Sequence, residues 1–171
     1  MGAYFLIVSR LVKYKRIDLA IRAFNKLGWR LKIIGVGRET GYLKSLAQKN
    51  IEFLGQLTDE ELVRYYQESR ALIFTGEEDF GLVPLEAQAC GRPVVAYQGG
   101  GATETVIEGV TGAFFDKQTW QSLAAKLQSF RATEFKSEEC RKNAIRFNEE
   151  KFKREFKSKL EREYQKWMSR S

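Results

Sequence analysis

Two carboxylates, Glu78 and Glu86, stand with seven residues between them in the stretch from Ala71 to Pro93, ALIFTGEEDFGLVPLEAQACGRP. The stretch opens on an apolar run, Ala71 to Thr75, short and β-branched enough to be a buried strand. Gly76 breaks it into the acidic loop Glu77-Glu78-Asp79. Phe80-Gly81-Leu82-Val83 then lead to Pro84 and a helix-favouring run through Ala89, closed by Gly91. Pro at a first helical position and Gly just past the last punctuate a short helix. That spacing puts Glu86 in the first helical turn and Glu78 in the loop ahead of it. The amides of Phe80, Gly81, Leu82 and Val83 fall at the helix entrance, where unpaired N–H groups and the positive dipole end receive anions. Such amides beside two carboxylates suit a ligand carrying both phosphates and hydroxyls. The plainer alternative is that Glu86 only complements the helix dipole while the other acids solvate a loop. Spacing and composition leave both open.

The elements that must position these groups are legible as short apolar runs alternating with helical periodicity. Candidate strands are Phe5–Val8, Leu31–Ile34, Ile51–Leu54, Leu72–Thr75, Val94–Tyr97 and Ala113–Phe115. Ile17, Ala20, Ile21, Phe24 and Leu27 recur at helical spacing, Leu43, Leu46 and Ala47 mark a second helix, and Trp120, Leu123, Ala124 and Leu127 another. Thr58 with Glu61 three residues on is a capping box, opening a helix that buries Leu62, Tyr65 and Tyr66. Repeated strand–helix units predict an α/β fold, a doubly wound six-stranded parallel sheet, with helices on both faces. In the order 3-2-1-4-5-6 the first and fourth strands are neighbours at the switch point, where ligands bind beyond the carboxyl ends. The basic loop Ser9-Arg10-Leu11-Val12-Lys13-Tyr14-Lys15 then meets the acidic loop at one crevice. Taken by themselves, without that switch point, Arg10, Lys13, Lys15 and Arg16 read as ordinary solvated loop charges.

Composition narrows the field. The chain has 171 residues, one domain's worth, with 43% hydrophobic and 30% charged content, that of a globular protein. Histidine is absent, which excludes Ser-His-Asp and Cys-His triads and His-bearing zinc sites within the chain. Cys90 and Cys140 lack metal spacing and read as reduced, buried thiols of a cytoplasmic protein. The net charge of +7 favours anionic partners without choosing among them. No apolar run approaches the 18 or more residues of a membrane span. Met1-Gly2-Ala3 precede a strand almost at once, as in a piece cut from a longer protein. Gly35-x-Gly37 lacks the third glycine of a nicotinamide-binding fingerprint. From Ser137 on the chain reads as helix only, a tail over 137–170. Its stripe Phe152, Phe156, Leu160, Tyr164 and Trp167 predicts a helix packed onto the domain. Lying on a membrane surface is the lesser reading, because glutamates interrupt its basic face.

EEDFGLVPLEAQACGRPVVA resembles the signature of two glutamates separated by seven residues in the retaining family 4 glycosyltransferases, which have the GT-B fold. SRLVKYKRIDLAI resembles the segment of that family whose Arg and Lys grip the donor diphosphate, with Lys13 where Pro is frequent. The resemblance runs from about Tyr4 to Phe130 and covers the C-terminal, donor-binding half of such an enzyme. In GT-B enzymes similar C-terminal helices cross to the partner domain, so the resemblance also implies that the helix bearing the Phe152–Trp167 stripe has lost its proper contact. It implies that Glu78 faces the donor sugar, Glu86 holds the ribose hydroxyls, and Arg10 and Lys15 take the diphosphate. The glycine turn Gly99-Gly100-Gly101 would close around the donor, and Gly35, Gly37 and Leu57 would flank the nucleotide base. It implies no cofactor and no metal, since fixed cations can balance the leaving diphosphate. GDP-mannose is the expected donor and a UDP-sugar the alternative. The acceptor would be a glycan or a lipid-linked molecule at the inner membrane face, held by an N-terminal domain absent from this chain. Such a domain would bind its donor yet be inactive alone. Two further readings are weaker. A glycosidase needs two carboxyls facing across a sugar, and no recognition helix or aromatic-rich basic sheet supports nucleic-acid binding.

Overall fold

The structure, a computed structural model, describes residues 4–169. The start of the chain ahead of Tyr4 and the last residue of the 137–170 tail therefore lie outside the described residues. Six strands run β1 (Phe5–Val8), β2 (Leu31–Ile34), β3 (Ile51–Gly55), β4 (Leu72–Phe74), β5 (Val94–Tyr97) and β6 (Gly112–Phe115). They form one all-parallel sheet in the order β3-β2-β1-β4-β5-β6, the doubly wound arrangement expected from the sequence. Three strands match their expected bounds, and the others differ by a residue. Thr75 falls outside β4 because the ladder to β5 ends at Phe74, and the Thr75 carbonyl accepts from the Gln118 side chain instead.

The helices are α1 (Ile17–Leu27), α2 (Thr40–Leu46), α3 (Asp59–Glu68), α4 (Leu82–Ala89), α5 (Ala102–Thr105), α6 (Trp120–Ser129), α7 (Ser137–Ile145) and α8 (Glu149–Met168). Alternation along the strands divides the core into two layers. Phe5, Ile7, Ile73, Val95 and Phe115 point to the layer that includes residues of α1, α2 and α6. Leu6, Leu72, Phe74, Val94 and Ala96 point to the layer with Tyr66, Ala87 and Ala102, from α3, α4 and α5. Helix α3 opens with the expected capping box: Glu61 N donates to the Thr58 hydroxyl, and Thr58 N to the Glu61 carboxylate. Only Tyr66 of its apolar stripe is fully buried.

Two local expectations are corrected. Helix α4 begins at Leu82, so Pro84 is its third residue rather than its first, and Glu86 stands at the start of the second turn. Proline is tolerated there because the first four amides of a helix have no intrahelical acceptor to lose. Cys90 is the C-cap of that helix and only half-buried, while Cys140 is buried, and both are free thiols. Gly91 follows in the left-handed region at φ 75°, the expected helix stop.

The tail departs further. Helix α7 docks on α4 through a buried polar contact: Asn143 Nδ2 donates to Gln88 Oε1 at 2.6 Å and to the Thr105 carbonyl at 2.9 Å. Gln88 in turn donates to the Pro84 and Thr105 carbonyls. Helix α8 was expected to pack its apolar stripe on the domain, and it does not. None of its 20 residues is buried, and Phe152, Phe156, Leu160, Tyr164 and Trp167 are each more than half exposed. Periodicity reports that a helix has an apolar face, not which surface covers it. Among the described residues no helix is long and apolar enough to cross a membrane.

Candidate functional site

The loops after β1 and β4 converge because the strands are neighbours. The Thr75 hydroxyl donates to the Lys15 carbonyl at 2.8 Å. A Cβ on Gly76 would meet Lys15 Cα at 3.0 Å, so glycine lets the two backbones approach. Arg16 anchors the basic loop at φ 51°, the one non-glycine in the left-handed region among the described residues. Its guanidinium bonds Asp18 and Gln118, and Gln118 donates to the Thr75 carbonyl. These contacts place Lys15 Nζ in an ion pair with Glu78 and over the Tyr14 ring at 5.0 Å. An ammonium has three donors, so this pairing leaves two for a ligand. Arg10 stands on the same loop with an exposed side chain.

The acidic loop is held from behind by the glycine turn. Gly101 N donates to the Glu78 carbonyl at 2.7 Å. A Cβ on Gly101 would lie 2.3 Å from Phe80 Cα, and one on Gly100, at φ 56°, 2.4 Å from the Glu78 carbonyl. These glycines therefore fit the acidic loop, not only a ligand. Gly99 faces the Tyr97 ring and the Glu77 carboxyl. The same physics governs Gly35 and Gly37, where added methyls would strike the carbonyls of Ser9 and Leu11 at 1.9 and 2.2 Å. They seat the β2–α2 loop on the β1–α1 loop. Leu57 is half-buried and packs against the core layer shared with α3, α4 and α5.

Gly81 caps α4 without a side-chain oxygen, which leaves its first amides open. Leu82 is 65% exposed beside them and Val83 half-buried. Glu78, Phe80, Gly81, Leu82, Val83 and Glu86 together line one wall of a cleft of about 950 Å³. The opposite wall comes from the α7–α8 junction and the first turns of α8, including Arg146, Phe147 and Phe152. Phe80 meets Phe147 edge-on, ring centres 5.8 Å apart. Glu86 is exposed, but its Oε2 accepts the Tyr66 hydroxyl at 2.7 Å. Burial, and then the Glu86 carboxylate, push the Tyr66 phenol far above its ordinary range, so it stays a donor. Tyr66, Arg146 and Phe147 are the residues that motif reasoning passed over. Helical periodicity marks Tyr66 as buried, and Asn148, which caps α8 by accepting from Lys151 N, marks the turn that brings Phe147 to the cleft. Nothing local in the sequence pairs either with the glutamates.

Residues 1–147 match the family described as Glycosyl transferases group 1. This chain belongs to that family. The match extends beyond Phe130, where the sequence resemblance ends, and takes in α7. An uncharacterized glycosyltransferase of Methanocaldococcus jannaschii is 31% identical over 127 residues, 71% of this chain and 36% of that protein. A D-inositol 3-phosphate glycosyltransferase of a Mycobacterium species is 36% identical over 122 residues, 64% of this chain and 28% of the relative. Among solved structures, HepE of Anabaena in complex with UDP and glucose superposes with a TM-score of 0.78 at 25% identity, covering 94% of this chain and 48% of HepE. The group 1 domain thus spans about a third of the length of these curated relatives. It is the doubly wound, Rossmann-like half of a GT-B architecture.

Proposed function

We propose that the group 1 domain binds the nucleotide-sugar donor of a retaining glycosyltransferase of the family 4 type. One observation carries the reading: Glu78, Glu86 and the residues bearing the open amides of α4 line a single cleft, and Lys15, outside that lining, is paired to Glu78. Glu86 takes the ribose hydroxyls, the amides of Phe80 to Val83 take the diphosphate together with Arg10 and Lys15, and Glu78 faces the sugar. Gly35, Gly37 and Leu57 border the base, and the Gly99–Gly101 turn keeps the acidic loop against the donor. As the bond from the sugar carbon to phosphate oxygen breaks, negative charge gathers on the diphosphate. Fixed cations and helix amides stabilise that charge most in the transition state. The new bond forms from the acceptor hydroxyl on the same face, and its proton passes to the leaving phosphate, so no histidine base is needed. The acceptor itself is assigned to a second, N-terminal domain, which the greater length of the relatives accommodates.

The context EDFGLVPLEAQACGRPVVAY supports GDP-mannose as the donor. The likeness to HepE, solved with UDP and glucose, supports a UDP-sugar as the second reading. Calorimetric titration with GDP, UDP and ADP, each repeated in EDTA, decides between them. Tighter GDP supports the first reading and tighter UDP the second. A failure of all three to bind overturns both, and binding that collapses in EDTA overturns the role given to Arg10 and Lys15. Replacing either cation with Ala should weaken the nucleoside diphosphate far more than the nucleoside.

A further inference from the structure

Tyr66 lies near the end of α3 and is 2% exposed, packed in the layer formed by Leu6, Leu72, Phe74 and Ala87. Its hydroxyl is the ring's one polar atom, and it donates across α3 and α4 to Glu86 Oε2 at 2.7 Å. The two partners are unlike. Tyr66 is fixed by packing on every side, whereas Glu86 stands on an exposed helical surface facing the cleft. A glutamate there has three rotatable bonds and would otherwise be spread over several rotamers. A hydrogen bond to a charged acceptor is short and strong, so the rigid partner sets the orientation of the mobile one. A carboxylate offers about four lone-pair sites, so one phenol leaves room for two further donors. Vicinal hydroxyls are such a pair of donors.

We propose that Tyr66 is a positioning residue whose buried phenol holds the Glu86 carboxylate in the orientation that accepts both ribose hydroxyls of a nucleotide. This rests on the reading of Glu86 as the ribose acceptor. Tyr66 touches no ligand itself; it acts by removing the cost of ordering Glu86 at the moment of binding. The selectivity it confers is therefore specific to the 2′ and 3′ hydroxyls and independent of the base and the phosphates.

The test titrates wild type, Tyr66→Phe, Glu86→Ala and the double variant with GDP or UDP, whichever the wild type binds more tightly, and with the matching 2′,3′-dideoxynucleotide. Tyr66→Phe keeps the ring and its packing. It should weaken the ribonucleotide roughly tenfold, the scale set by ordering one long side chain, and the dideoxynucleotide hardly at all. In the Glu86→Ala background it should have no further effect. Equal weakening of both ligands, or no weakening of either, overturns the inference. If the wild type binds both nucleotides equally, the assignment of Glu86 to ribose fails and the inference with it. If the wild type discriminates and Tyr66→Phe still does, only the inference fails. Glu86→Asp, a surface change that withdraws the carboxylate from the phenol by one methylene, gives a second reading should Tyr66→Phe not fold. Full ribonucleotide preference in that variant also overturns the proposal.

Discussion

At the carboxyl ends of the sheet, loops from separate βα units press backbone against backbone, with glycines where any side chain would collide. Along α8, a helix of 20 residues, no side chain is buried. The first region has its shape imposed by neighbours before any ligand arrives. The second is held by its Asn148 cap, by ring contacts along its own stripe such as Phe152 stacked on Phe156, and by exposed i,i+3 and i,i+4 ion pairs such as Lys153–Glu149 and Lys166–Glu163, worth a few tenths of a kcal/mol each. Rigidity here follows from tertiary closure rather than from regular secondary structure, since the loops are irregular and the helix is not.

The contrast breaks first on aromatic truncation. Phe24, fully buried and 5.3 Å edge-on to Phe5, should cost about 3–5 kcal/mol as Phe24→Ala in urea unfolding. Phe156→Ala on α8 should stay within about 0.5 kcal/mol. A large loss at Phe156 would mean that α8 finds a cover in solution. The second comparison concerns glycines. Gly101→Ala drives a methyl into the Phe80 backbone and should cost about 1–3 kcal/mol, with nucleotide affinity falling alongside. Gly41→Ala, in α2 with open space around it, should instead stabilise by about 0.5–1 kcal/mol. Thermal melts of both variants read the difference in sign.

Within the site itself the two glutamates should separate. Glu86→Ala removes charge-assisted hydrogen bonds of about 1.5–3 kcal/mol each, so GDP and intact GDP-sugar should both weaken tenfold or more. Glu78→Ala should leave GDP affinity nearly unchanged and reduce sugar transfer in the full-length enzyme. Titrations and an activity assay check this, and the reverse pattern would exchange the two roles. The smallest effect is with pH. Burial pushes the Cys140 thiol from 9.0 to about 11 and raises the Tyr66 phenol as well. The fold therefore favours the protonated forms. Their contribution is complete below about pH 9, where the unfolded thiol also keeps its proton, and fades as pH climbs towards 11. Urea midpoints across that window should fall, and less steeply for Cys140→Ala.

Most of the sheet was legible because each strand is a short apolar run whose length and β-branching carry the signal locally. The meeting of the basic loop with the acidic loop was legible too, since strand order alone makes β1 and β4 neighbours, whereas the pairing of Lys15 with Glu78 within it was not. The start of α4 was misplaced because proline is compatible with any of the first helical positions, so Pro84 bounds the helix without fixing its first residue. Tyr66 and Phe147 stayed hidden for a different reason. Their contacts depend on how α3 and α7 dock on α4, and docking geometry leaves no trace in the spacing of either segment. The stripe on α8 is legible and its cover is not: packing onto this domain fails, because amphipathicity is a property of one helix and burial a property of two surfaces.

The bond from Gly101 N to the Glu78 carbonyl at 2.7 Å has a consequence for measurement. An amide in a glycine-rich surface turn ordinarily exchanges with solvent at once, yet this one is closed onto the acidic loop's own backbone. Its hydrogen-exchange rate is therefore a clock for that loop, running whenever Glu78 lifts away. Because the clock sits on the main chain, it keeps time in Glu78 and Lys15 variants alike. Loop opening can thus be followed separately from the side chains proposed to meet the donor.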